Sequence, residues 1–228
     1  MVTADSSVQV VLIAEMLLLV AVDEQGRIPA TVIPRTGVIK VGLSGALLIE
    51  LAIDGQLTME RGRIIRAGEF RPRDELLADV YDAVRNHLDR MTARWAIDGL
   101  SHYIGGSLTR VAGRLVEAGV LGQERSGILL STRYPVLDPA ARQAVLRQVR
   151  AAATGVGPPR PDAAVVLQLA GRCRYMKRIA PDRRARIDLL KRLFRMSAPQ
   201  LSPDVAAVVD VLLSQVSANA RRIDSARG

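Results

Sequence analysis

Apolar residues run from Val10 to Val22 with one interruption, Glu15, and the run stops at Asp23-Glu24-Gln25-Gly26. A second run, Gly42-Leu43-Ser44-Gly45-Ala46-Leu47-Leu48-Ile49-Glu50-Leu51-Ala52-Ile53, closes at Asp54-Gly55. Each has the pattern of a helix ended by a glycine turn, where a positive φ costs little. Leu43, Leu47, Ile49, Leu51 and Ile53 surround nearly the whole second helix, and a helix that is apolar all round belongs inside a core. That helix is expected over Val38 to Ile53, central and closed to solvent. Gly42, Ser44, Gly45 and Ala46 at its start leave room for a neighbouring backbone or a ligand to come close. The first run is shorter than the roughly 20 apolar residues that a membrane span needs. It also lacks a basic leader and a small-residue cleavage site.

Beyond these runs the pattern becomes amphipathic. Leu57-Thr58-Met59 and Ile64-Ile65-Arg66 flank Glu60-Arg61-Gly62-Arg63 as a short hairpin. Pro72 precedes a helix from Arg73 to Asp89, with Leu76, Leu77, Val80, Val84 and Leu88 at helical spacing. A short helix is predicted around Trp95, Ile97 and Leu100, and another from Ser107 to Ala118, ending at Gly119. Val120-Leu121 and Ile128-Leu129-Leu130, on either side of Gly122 to Gly127, read as a second hairpin. Further helices are expected from Pro139 to Ala153, Asp162 to Cys173, Pro181 to Met196 and Pro203 to Ala220, with a frayed tail after Arg221. The stretch from Gly155 to Pro161 is too short to demand separate domains. The expected architecture is mainly α. It is a single globular helical domain over residues 1–228, built around the buried N-terminal helices, with two small β-hairpins.

Composition sharpens this picture. Of 228 residues 49% are hydrophobic but only 3% aromatic, so the core must be aliphatic. A lone cysteine, Cys173, excludes a disulfide framework and a thiolate metal cluster, and points to a reducing cytoplasmic location. Between Arg172 and Arg195 lie ten basic residues and two acidic ones, a net of +8 against +9 for the whole chain. So concentrated an excess points to a polyanionic partner, a membrane surface or a nucleic acid. Within it, Arg183 to Met196 is expected to form a basic amphipathic helix. Ile187, Leu190, Leu193 and Phe194 fall on one side, and Arg184, Lys191, Arg192 and Arg195 mostly on the other.

Catalytic constellations are missing. His87 and His102 have no ligand-spaced partners. Gly42-Leu43-Ser44-Gly45 fails as a nucleophile elbow because Ala46 stands at the last glycine position and the segment reads as helix. Neither a phosphate-binding loop, a dinucleotide fingerprint nor a calcium loop is present. Asp74, Glu75 and Asp79 read as acids favouring the positive end of a helix dipole. No enzyme, metal or cofactor is expected.

The second helix carries a family resemblance. Gly42, Leu43, Gly45, Leu48, Ile49, Glu50, Leu51, Ala52 and Gly55 match a block of the Golgi phosphoprotein 3 family, Gly-Leu-Arg-Gly, apolar residues, then Ile-Glu-Leu-Ala-Leu-x-Gly. Asp74 with Leu76-Leu77 is similar to the family's Gly-Asp-x-Leu-Leu segment, with Arg73 in place of the glycine. Arg114 to Leu121 is similar to its helix-then-hairpin signature, and the chain resembles the family over nearly its full length. The resemblance implies a peripheral membrane protein that recognises anionic, phosphoinositide-like headgroups, without enzymatic activity or cofactor. Only Lys40, Lys177 and Lys191 among the 32 basic residues are lysine, a bias of GC-rich bacterial coding. The expected member is therefore bacterial, cytoplasmic and peripheral at the inner face of the membrane. Its partners would be an anionic lipid, membrane-protein cargo and further copies of itself.

In eukaryotic members the headgroup pocket is formed by a Trp, the Arg of the Gly-Leu-Arg-Gly block, and two Arg residues on the helix before the second hairpin. Those positions fall on Arg35, Ser44, Gly105 and Leu108 here, so the resemblance implies that the specific pocket is not reproduced. Arg35, Lys40, Ser44, Arg110 and Arg114 are the expected lipid-binding set, holding phosphate weakly through charge-assisted bonds. Ile128, Leu129 and Leu130 are three adjacent apolar residues that a two-stranded hairpin does not bury by itself. By the same resemblance they are expected to serve association or shallow membrane insertion. One other function class competes. Ser107 to Leu121, followed by a hairpin through Arg125, looks locally like a winged helix, whose recognition helix enters the major groove of DNA. The preceding Tyr103-Ile104-Gly105-Gly106 gives no clear first helix-turn and the buried N-terminal helices are foreign to that fold, so lipid binding is favoured over nucleic acid.

Overall fold

Two helices with almost no exposed surface form the centre of the structure. The computed structural model describes residues 12–28, 37–66, 68–88, 91–126, 131–154, 160–193 and 201–225. Helix α1 (Ile13–Ala21) is buried at every position, and α2 (Gly37–Ile53) is buried along nearly its whole length. Both follow from runs that are apolar on every face. The close approach offered by the small residues of α2 is taken up by other helices. A side chain at Gly42 would meet the Cys173 sulfur at 2.7 Å, and one at Gly45 would collide with Val216. Burial pushes the Cys173 thiol up to about 12.

A buried helix cannot hand its unpaired terminal groups to water. In α1 side chains take that place. The Leu12 N–H donates to Glu15 Oε2 at 2.9 Å and the Ile13 N–H to Glu50 Oε2 at 2.7 Å. At the other end the buried Arg142 donates Nε to the Leu19 carbonyl (3.2 Å) and Nη2 to the Val22 carbonyl (2.9 Å). Carboxyls at the N-terminus and a guanidinium at the C-terminus also match the polarity of the helix dipole.

The surrounding elements are mainly helical, as the pattern predicts. Strands β1 (Leu57–Glu60) and β2 (Arg63–Arg66) pair antiparallel with Leu57 opposite Arg66. Asp74 caps α3 (Glu75–Ala83) by accepting the Leu77 N–H, and a π-helical turn, Val84–Leu88, follows. Then come α4 (Ala93–Tyr103), α5 (Ser107–Glu117), α6 (Pro139–Thr154), α7 (Pro161–Arg172), α8 (Met176–Ile179), α9 (Arg183–Leu193) and α10 (Pro203–Ser225). Helix α10 packs along α2 and α4, while α7 lies against α1 and α6.

Three expectations are corrected. The second hairpin pairs β3 (Glu124–Ser126) with β4 (Ser131–Arg133), beyond Val120-Leu121. Leu121 is fully buried and makes a single bridge to Val136, so it anchors the base of the hairpin and leaves the ladder to polar residues. Helix α10 continues past Arg221 because Arg222 donates to Asp98 (2.9 Å) and Asn219 (2.7 Å), tying the last turns to α4. On α9 the inward stripe is Leu189 and Leu193, whereas Ile187 is 42% exposed. The stripe starts from Arg186, whose guanidinium is turned back onto the Ala180 and Pro181 carbonyls.

Candidate anion-binding surfaces

Helix α5 starts after Gly105 and Gly106, which both adopt positive φ and turn the chain sharply from α4. Its first residue, Ser107, is fully buried and donates Oγ to the Lys40 carbonyl at 3.2 Å, with the Ser44 hydroxyl 3.4 Å away. The Lys40 backbone, Ser44 and the start of α5 are thus brought together. Ser44 itself has no exposed surface and meets α5.

The two α5 arginines are engaged by acids from other elements. Arg114 Nε donates to Glu15 Oε1 at 2.7 Å and Nη1 lies 2.9 Å from Asp74 Oδ2. Burial works against the Arg114 charge, and the Glu15 hydrogen bond and charge, with Asp74 behind them, more than reverse this. The guanidinium is held above its usual range. Arg110 pairs with Asp79, and Arg71 closes the same cluster through Asp82 at 3.0 Å. A cleft of about 340 Å³ opens here, lined by Asp79, Asp82, Asn86, His87, Tyr103 and Arg110 among others. The His87 and Tyr103 rings stack across it at 4.4 Å. The site is ionically balanced, with carboxylates beside each guanidinium. Locally α4, α5 and the β3–β4 hairpin do follow one another as in a winged helix, yet the arginines of α5 are turned to these acids.

The basic segment behaves differently. Leu189 and Leu193 hold α9 on the domain while Arg183, Arg184 and Lys191 stand exposed, as does Lys177 on α8. None of these four forms an ion pair among the described residues. Arg178 does, with Asp23 at 3.6 Å, and Arg172 turns back on Gln168. Arg35, Ile128, Leu129, Leu130 and Arg195, and the side chain of Arg192, lie outside the described residues. Helix α6, expected from the sequence as a helix but not as part of a basic surface, exposes Arg147 and Arg150, the latter bonded to the Ile179 carbonyl of α8. Its signal was legible, since no acidic residue occurs between Pro139 and Thr154.

Among the described residues no three His, Cys, Asp or Glu side chains are placed to hold a metal, and no helix is long and apolar enough to cross a membrane. A comparison with curated proteins finds no match. The family model described as Golgi phosphoprotein 3 (GPP34) matches residues 12–212, which takes in both buried helices, the ion-paired α5 and the basic α8–α9 segment. The chain belongs to the Golgi phosphoprotein 3 family.

Proposed function

We propose that this protein is a non-enzymatic, peripheral membrane protein that binds anionic lipid headgroups through charge. The observation that carries the reading is the set of exposed cations on α8 and α9, Lys177, Arg183, Arg184 and Lys191, which have no acidic partner among the described residues. Family membership supports it, because the family is known for phosphatidylinositol 4-phosphate-binding peripheral Golgi proteins. Arg110 and Arg114 contribute less than their position suggests, since Asp79, Glu15 and Asp74 already neutralise them. Arg192 and Arg195 continue the basic face by sequence.

Flotation with phosphatidylcholine vesicles, with and without phosphatidylglycerol, tests the proposal. Binding only to the anionic vesicles, weakened by salt, is the expected result. Replacing Arg184 and Lys191 by Gln should remove about 1 kcal/mol of binding each. Equal recovery with neutral and anionic vesicles, or none with either, would overturn it.

A further inference from the structure

Helices α6, α8 and α9 pack against one another, and each brings cations that the linear sequence keeps apart. Arg142 of α6 faces inward to α1, but Arg147 and Arg150 are exposed. Arg150 Nε donates to the Ile179 carbonyl at 3.0 Å, which sets that edge of α6 directly beside α8. Arg147 stands one turn earlier on the same edge. Like Lys177, Arg183, Arg184 and Lys191, it has no ion-pair partner among the described residues. The acids nearby are few. Asp23 is shared by Arg27 (3.5 Å) and Arg178 (3.6 Å), Glu24 is exposed and acts on Arg142, Asp182 accepts the Ala185 N–H, and Asp188 is exposed. The Arg142 charge is disfavoured first by burial and then by Arg178, with Glu24 and Asp23 acting against this and Arg150 adding to it.

From this juxtaposition we infer that α6, α8 and α9 form one continuous cationic surface that docks on a bilayer and selects it by surface charge density. The inference rests on the membrane reading above and names the lipid class: any phosphate-bearing lipid with net negative charge, whatever its headgroup. A headgroup-selective site needs several donors converging on one phosphate, as in bidentate arginine recognition. Here the exposed cations are distributed over three helices, Arg147 on α6, Lys177 on α8 and Arg183, Arg184 and Lys191 on α9. A charged bilayer meets them together, and each acts within a Debye length of its surface. A helix that reads DNA must enter a groove. Helix α9 is instead held down on the domain by Leu189 and Leu193.

The test is vesicle partitioning of the full chain, its Arg147→Gln variant, the double variant Arg147→Gln with Lys191→Gln, and Arg71→Gln as a control of equal charge change. Arg71 is exposed and paired with Asp82, away from these helices. Vesicles contain phosphatidylglycerol or phosphatidylinositol 4-phosphate in phosphatidylcholine, matched for zeta potential. Each charge removed from the surface should lower the partition coefficient about fivefold, so the double variant falls about 25-fold, while Arg71→Gln stays within about twofold. The two matched lipids should bind alike, and thermal midpoints should not move. If the wild type binds but Arg147→Gln is silent, or Arg71→Gln weakens binding as much, the α6 surface is wrong and the membrane reading stands. A preference above about tenfold for the phosphoinositide at matched charge would place a specific pocket elsewhere and overturn the inference. A wild type that binds duplex DNA and no vesicle would remove both.

Discussion

Two sets of charges in this molecule look alike in sequence and do opposite things. Around α1, Glu15, Arg114 and Arg142 are turned inward, and each meets a backbone group or an opposite charge. On α8 and α9, Lys177, Arg183, Arg184 and Lys191 point outward and meet none among the described residues. The first set completes a helix that has no access to water. The second forms no ion pair among the described residues, and its field is available to a partner. A basic residue count therefore says little about where a protein is electropositive; what matters is which cations the fold has already paired.

Removing an inward charge should cost stability and spare lipid binding. Arg114→Leu leaves the buried Glu15 carboxylate and Asp74 without their partner, so thermal or urea unfolding should show a loss of about 3 kcal/mol. Vesicle binding at a temperature where the variant is folded should be unchanged. A large loss of binding with little loss of stability would break the comparison and return Arg114 to the headgroup site. Arg142→Leu keeps the bulk but strands the Leu19 and Val22 carbonyls, at a cost of about 2 kcal/mol by the same measurement. A neutral result there would mean that the C-terminus of α1 finds other donors.

Glu50 sharpens the contrast through pH. Desolvation raises its carboxyl from 4.5 to about 8, against the lowering effect of the Ile13 N–H, with Asp54, Glu15 and Asp162 adding to the rise. Between those values the unfolded chain has lost a proton that the folded one retains. Stability from this group is thus complete below the lower value and falls as pH rises through the higher one, by about 1.4 kcal/mol per pH unit. Urea midpoints measured from pH 5 to 9 should show that decline, and Glu50→Gln, which can still accept the Ile13 N–H, should flatten it. An unaltered slope in the variant would assign the titration to another group.

The smallest effect is expected at Arg110. Its pair with Asp79 is more than a third exposed on both sides, so Arg110→Ala should change stability by less than about 1 kcal/mol. Because Asp79 already balances it, partition onto anionic vesicles should stay near the wild-type value. A sharp drop would show that lipid phosphate displaces Asp79 and that the α5 cleft takes part in binding.

The apolar runs were enough to place α1 and α2. A helix with no polar face can be accommodated only where other elements cover it on all sides, and Gly42 and Gly45 mark where those elements come closest. The amphipathic helices and the first hairpin were legible for the same reason, their buried faces being written in period. The second hairpin was misread because its ladder is polar and the deeply buried Leu121 lies outside it. The short α8 escaped because a single turn between Arg174, at φ 65°, and Ala180 has too few residues to show a period.

The charges divide along the same line. The sequence by itself determined how many cations there are and that most of the net positive charge lies between Arg172 and Arg195. Only the tertiary structure decided which of them are neutralised. Arg114 is paired with Glu15, 99 residues away, and Arg150 is brought beside Ile179 of α8. Periodicity fixes the face of a helix on which a side chain stands, because that depends on residues a turn apart. An ion pair depends on a separation of a few ångströms through space, and that is set only when distant segments pack.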